Sequence, residues 1–213
     1  MTDVVEAIPR DESDYRLSEG GPPAFTISDL ETAPGAELGD DPAAEALRNF
    51  AADPGGAEAV PTHGWRVLSR SPSMVLFFCR EDGENYMVRV HRESDGRWGY
   101  YNSSYFFEAL DAMRDGNPAS EWRLDPGADP PTGAAPRLRV LVTESHCASG
   151  RTAEGRIEPP DVFYVRDEVR LVAYVTRLRG TQTCPGNPPT PAVFVLPEPI
   201  GDRRLVDGGQ YRI

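Results

Sequence analysis

The chain contains no lysine: all 22 of its basic residues are arginine. Arginine and lysine differ in geometry and hydration, but no binding site demands the loss of every lysine. The absence points to a gene poor in A-rich codons and bears on origin more than on mechanism. Long apolar runs are also missing. The longest, Met74–Cys79, falls far short of the ~20 residues that cross a bilayer as a helix, so no transmembrane segment is expected. The opening Met1-Thr2-Asp3-Val4-Val5-Glu6 has neither the basic start nor the apolar core of a secretory signal, and none is predicted. There are three histidines, His63, His91 and His146. Their spacing completes no metal site with the cysteines, so surface or capping roles are expected for them and neither metal nor cofactor is predicted. No Gly-rich nucleotide loop, H-E-x-x-H or G-x-S-x-G element occurs. With a net charge of −12 and no basic run, nucleic acid is not an expected partner.

What is present is unevenly distributed. Hydrophobic residues make up 39% of the 213 and mean hydropathy is −0.48, low for a chain packed throughout. Residues 1–60 carry fourteen acids against Arg10, Arg16 and Arg48, and the remainder is nearly neutral, with twenty acids and nineteen arginines. Residues 1–40 mix Gly, Pro, Asp and Glu with few large apolar groups, a composition that does not offset its ordering entropy. The expectation is an acidic, mostly disordered leader on a near-neutral body.

Asp41-Pro42 reads as a helix start, with Asp41 as cap and Pro42 where no N–H is required. Ala43, Ala46, Leu47, Phe50 and Ala51 then recur at helical spacing, up to Asp53-Pro54-Gly55. Residues 64–101 read as an antiparallel β-meander with turns at Asp82-Gly83 and Asp95-Gly96. A second helix is predicted over Ser104–Arg114, from the stripe Phe106, Leu110 and Met113 and the stop at Gly116 and Pro118. Residues 125–136 form a Pro/Gly/Ala linker, and Trp122 is placed in the core before it. Residues 137–213 read as short strands: Leu138-Val140-Val142, the hairpin Val162–Val165 to Val169–Val175 closed at Arg166-Asp167, and Ala192–Leu196. The predicted class is α+β: an N-terminal helix and meander over 41–124, followed by a small all-β, sandwich-like domain over 137–213.

Cys147 opens C-A-S-G and Cys184 opens C-P-G-N-P-P-T-P, each beside a predicted strand. A disulfide between them is the leading expectation, and it would staple a marginal core. Two free thiols, half a metal site, or a pairing that involves Cys79 are the alternatives. Cys79, at the end of an apolar strand, is expected to be a buried free thiol. His146 beside Cys147 suggests a catalytic pair, but strand neighbours point to opposite faces. Asp202 and Asp207 match no calcium loop and are expected to pair with Arg203 or Arg204. The densest aromatic cluster surrounds Tyr100. Within it, Tyr101 and Tyr105 are the candidate ligand or partner surface, provided they are exposed.

The stretches Leu141-Val142-Thr143-Glu144, Cys147-Ala148-Ser149-Gly150, Cys184-Pro185-Gly186-Asn187-Pro188-Pro189-Thr190-Pro191 and Glu198-Pro199-Ile200-Gly201-Asp202-Arg203 resemble a family of uncharacterised actinobacterial proteins, many exported or lipid-anchored. The resemblance spans about residues 41–210 and implies an extracytoplasmic setting, but no activity. Three functions follow as expectations. The first is a non-enzymatic binding or accessory module at the cell envelope, with an unknown protein or small ligand as partner. The second is a cytosolic interaction protein whose acidic leader docks a basic partner. The third is an enzyme whose carboxylates, such as Glu144, Glu154 and Glu158, meet only in the fold. Oligomeric state is not legible from the sequence.

Overall fold

A computed structural model describes residues 2–18, 24–32, 40–55, 59–105, 109–134 and 136–212, with backbone alone over 102–105. Strands dominate its regular structure. Among the described residues, helix is confined to Ile27–Thr32, Pro42–Ala52 and a single 3-10 turn at Glu12–Asp14. The expected balance of helix and strand therefore shifts toward a β-rich fold. The chain divides into two compact units, one of residues 23–110 with 212–213, the other of 1–22 with 111–211.

In the first unit, strands Arg66–Arg70, Met74–Glu81, Glu84–Arg92 and Trp98–Tyr105 form a sheet in chain order. Asp82 (φ 51°) and Gly83 (φ 87°) turn the central hairpin in the left-handed conformation that two-residue loops require. Helix Pro42–Ala52 begins as the sequence predicts, with the Ala43 N–H donating to the Asp41 carboxylate at 3.0 Å. Its Ala43, Leu47 and Phe50 pack with Val75, Phe77, Val88 and Val90 of the sheet. Leu76, Phe78 and Met87, on the opposite sheet face, are buried as well. Burial on both faces explains why Met74–Cys79 is continuously apolar instead of alternating. Cys79 is a buried free thiol, and its Sγ lies 3.3 Å from the His63 carbonyl.

The second unit has two four-stranded sheets over one core. The first runs Asp3–Glu6, Thr190–Val195, Arg137–Thr143, Glu121–Leu124; the second runs Arg204–Asp207, Glu168–Val172, Asp161–Val165, Ile8–Pro9. Leu138, Val140, Val142 and Phe194 from one sheet meet Val162, Val169 and Leu171 from the other. The central strands Arg137–Thr143, Thr190–Val195 and Glu168–Val172 alternate, with one face turned into this core. Trp122 lies in this core, and its Nε1–H donates to the Leu171 carbonyl at 2.9 Å. It does not close the core before the 125–136 linker, as the sequence had suggested.

Two further expectations are corrected. The acidic leader is ordered over residues 2–18. Asp3–Glu6 pairs in parallel with Ala192–Val195, and Ile8–Pro9 with Asp161–Val162, so the segment supplies an edge strand to each sheet. Tyr15 and Leu17 are buried. Composition missed this because short edge strands are completed by partners distant in sequence. The predicted helix over 104–114 is also absent: the described part is strand, Trp98–Tyr105 and Ala109–Arg114, and Phe106 falls outside the described residues. Leu17 pairs with Ala112, and Pro118 with Met113. The intended helix stop is a hairpin turn, with Asp115 at φ 51° and Gly116 at φ 80°.

Candidate functional site

Cys147 and Cys184 form a disulfide, with a Cα–Cα distance of 4.6 Å and a sequence separation of 37. It ties the turn at 147–150 to the irregular segment before strand Thr190–Val195. Hydrogen bonds reinforce the seam. The Ser149 N–H donates to the Thr183 carbonyl at 2.9 Å, and Asn187 Nδ2 donates to the carbonyls of Glu144 and His146 at 2.9 and 2.5 Å. His146 Nε2 and Asn187 Oδ1 are buried and have no hydrogen-bond partner among the described residues. Burial, and then nearby Arg177, holds the His146 imidazole below its ordinary value, with Glu144 opposing. The neutral ring is therefore the form that suits the fold. Its stabilising contribution is full above the ordinary value near 6.5 and is lost as pH falls below that value toward the lowered one. Denaturant midpoints should drop over this window in the native protein, and His146→Gln should flatten the drop; an unchanged slope in the variant would refute the assignment.

The three carboxylates considered for catalysis have separate settings. Glu144, whose side chain is 1% exposed, accepts both Nη groups of Arg156 at 2.9 and 2.6 Å. Glu158 accepts from Arg114 and from the Thr176 hydroxyl, while Glu154 lies on an exposed turn. Arg156→Met would leave a buried carboxylate unpaired and should cost about 3 kcal/mol, measured by equilibrium denaturation; a change near zero would mean that water replaces the arginine. Asp207 accepts the Gly209 N–H at 2.8 Å. Arg203 and Arg204 turn to Glu198 and Glu168, so the expected pairing with Asp202 or Asp207 is not made. No three His, Cys, Asp or Glu side chains among the described residues are grouped to hold a metal.

Of the aromatic pair singled out from sequence, Tyr101 is 61% exposed and stacks on His91, with ring centroids 4.2 Å apart. The backbone of Tyr105 pairs with Tyr86, and its side chain lies outside the described ones. Tyr100 is stacked on Phe50 at 3.9 Å. His63 is exposed beside Glu81 at 3.3 Å.

A more complete constellation, unnoticed in the sequence, occurs in the second unit: a cleft of about 220 Å³. Four local features build it. Arg10 follows the edge strand Ile8–Pro9, Tyr15 follows the 3-10 turn, Arg114 ends a strand at its hairpin turn, and Asp161 opens the strand Asp161–Val165. Asp161 is buried and its Oδ1 accepts from Arg10 Nε at 2.9 Å and Arg114 Nη1 at 3.2 Å. Arg114 also donates to Glu158 at 2.6 Å and to the Pro159 carbonyl at 2.8 Å. Its guanidinium lies 4.0 Å from the centre of the Tyr174 ring, a cation–π contact that fixes the plane of the fork. Tyr15 meets Phe163 edge to face at 5.1 Å and donates its hydroxyl to the Gly208 carbonyl. Burial raises the hydroxyl pKa of Tyr15 and of Tyr174, so both stay neutral donors. No linear motif marks this group, since Arg10 and Asp161 lie 151 residues apart. The one local signal is the β-prone run Val4-Val5, with Ile8 two residues before Arg10.

No protein family, curated protein or solved structure matches the chain. No helix among the described residues is long and apolar enough to cross a membrane.

Proposed function

We propose that this protein is a non-catalytic binding module working outside the cytosol, at the cell envelope, with its ligand site in the Arg10–Arg114–Asp161–Tyr174 cleft. The observation that carries the reading is the way the cleft is held. Arg114 and Asp161 are locked by each other and by Glu158, Arg10 and the Tyr174 ring, the preorganisation that lowers the ordering cost of binding. The two-sheet body, which we read as a small sandwich, gives it a rigid base. The extracytoplasmic placement rests on the Cys147–Cys184 disulfide, since such bonds persist mainly in oxidising compartments. The resemblance to exported or lipid-anchored actinobacterial proteins supports the same placement.

The docking of a basic partner by the acidic leader has less support. Asp3 accepts the Gly155 N–H at 2.9 Å, and Glu12 lies 3.5 Å from Arg170, so part of that charge is spent within the fold. The placement is tested by an intact-mass thiol count on protein taken unreduced from its source cell. One free thiol, Cys79, is expected; three free thiols would overturn the extracytoplasmic reading.

A further inference from the structure

We infer that the cleft binds a small zwitterion of amino-acid size, one carboxylate and one ammonium group on a short skeleton. This rests on the proposal that the cleft is a ligand site. Size sets the first limit. Pockets for drug-sized ligands occupy roughly 300–1,000 Å³, and this cleft, at about 220 Å³, takes something smaller. A wider depression of about 710 Å³ beside the 125–132 segment holds one ion pair, the exposed Arg139 with Asp125 at 3.2 Å, in place of the branched arginine–carboxylate lattice of the smaller cleft.

Charge sets the second limit. The cleft wall carries Arg10, Arg16 and Arg114 against Asp14, Asp115 and Asp161, a balance that repels neither sign overall. Within it the inner groups are spent and the outer ones are not. Among the described residues Arg10 uses only Nε, on Asp161, which leaves both its Nη groups to donate, and Arg16 uses only Nη1, on the Ser13 carbonyl. Asp14 and Asp115 are exposed and their carboxylates accept no hydrogen bond from the described residues. Tyr174 is buried at the cleft and its hydroxyl has no partner among the described residues. A lone anion would meet three carboxylates and a lone cation three arginines. A ligand carrying both charges satisfies the free donors of Arg10 and Arg16 and the free acceptors of Asp14 and Asp115 together. Charge-assisted hydrogen bonds of this kind are the strong ones.

The test is calorimetric titration of the oxidised full chain with each of the twenty L-amino acids. Acetate, ethylamine and glucose serve as single-feature probes. At least one amino acid should bind saturably, and its N-acetyl and carboxamide derivatives should bind about tenfold more weakly or not at all. Arg16→Ala, an exposed change, should weaken binding about tenfold. Tyr174→Phe, which keeps the ring beneath Arg114, should weaken it measurably without lowering the melting temperature. If no amino acid binds but acetate, ethylamine or glucose does so in an Arg16-dependent way, the zwitterion assignment falls and the cleft stands as a ligand site. Binding of an amino acid unaffected by Arg16→Ala and Tyr174→Phe would overturn the assignment of this cleft. Silence from every probe would sink both the ligand class and the site.

Discussion

Removal of residues 1–18 should abolish cooperative folding of the unit formed with residues 111–211. The deletion strips the parallel edge strand Asp3–Glu6 from one sheet and Ile8–Pro9 from the other. It also removes Ala7 from the core, together with Tyr15 and Leu17, both buried. Large buried side chains contribute roughly 1.5–3 kcal/mol each, and the sheet hydrogen bonds add to that. Against a typical total of about 5–15 kcal/mol, the truncated unit is left with little or nothing. The expected result is an aggregated chain, or one that lacks a sharp thermal transition. If the 19–213 fragment melted as sharply as the full chain and within a few degrees of it, the N-terminal segment would be an accessory to the fold and not part of it. The same experiment bears on function, because Arg10 and Tyr15 of the cleft leave with the deleted segment.

Replacing both bridging cysteines, Cys147→Ser with Cys184→Ser, should destabilise the same unit by about 4 kcal/mol. That is the chain-entropy value for a closed loop of this length, the cysteines being 37 positions apart. The loss should be visible as a lower denaturant midpoint, and reductant should shift the native protein to the same value. The disulfide anchors a segment with no regular structure, 178–189, held otherwise by Ser149, Gln182 and Asn187 hydrogen bonds. A loss below about 1 kcal/mol would mean that this segment frays independently when reduced, leaving the two sheets to fold by their core alone. In that case local hydrogen exchange over 144–150 and 182–187 would rise while the global transition stayed in place.

Short-range patterns carried much of the architecture. Asp41-Pro42 announced the longest helix among the described residues, because capping and the fixed φ of proline act within a single turn. Asp82-Gly83 and Arg166-Asp167 announced hairpins, which the register between Met74–Glu81 and Glu84–Arg92 and between Asp161–Val165 and Glu168–Val172 realises. The placement of Cys147 and Cys184 in turns beside predicted strands anticipated their bond. These features depend on residues near one another in sequence, or on one covalent preference.

Other features were decided only when distant segments met. Leu110 and Met113 fit a helical stripe, and Asp115-Gly116 fits both a helix end and a hairpin turn; backbone partners at Leu17 and Pro118 made the segment a strand. Trp122 precedes the Pro/Gly/Ala stretch in sequence, yet its place is set by the Leu171 carbonyl and the core around it. Charge counting made residues 1–18 look solvated, whereas vacant sheet edges at Ala192–Val195 and Asp161–Val162 gave them partners. The cleft belongs to the same class. Arginine, tyrosine and aspartate are unremarkable singly, and Arg10, Arg114, Asp161 and Tyr174 acquire direction and pairing only from the strands that end beside one another. Turns, the Pro42–Ala52 helix and the alternation of most strands were legible along the chain, because they follow from local sterics and periodicity. Tertiary structure alone decided which strands share a sheet and which charges share a cleft, because pairing energy depends on partners that the chain brings together only on folding.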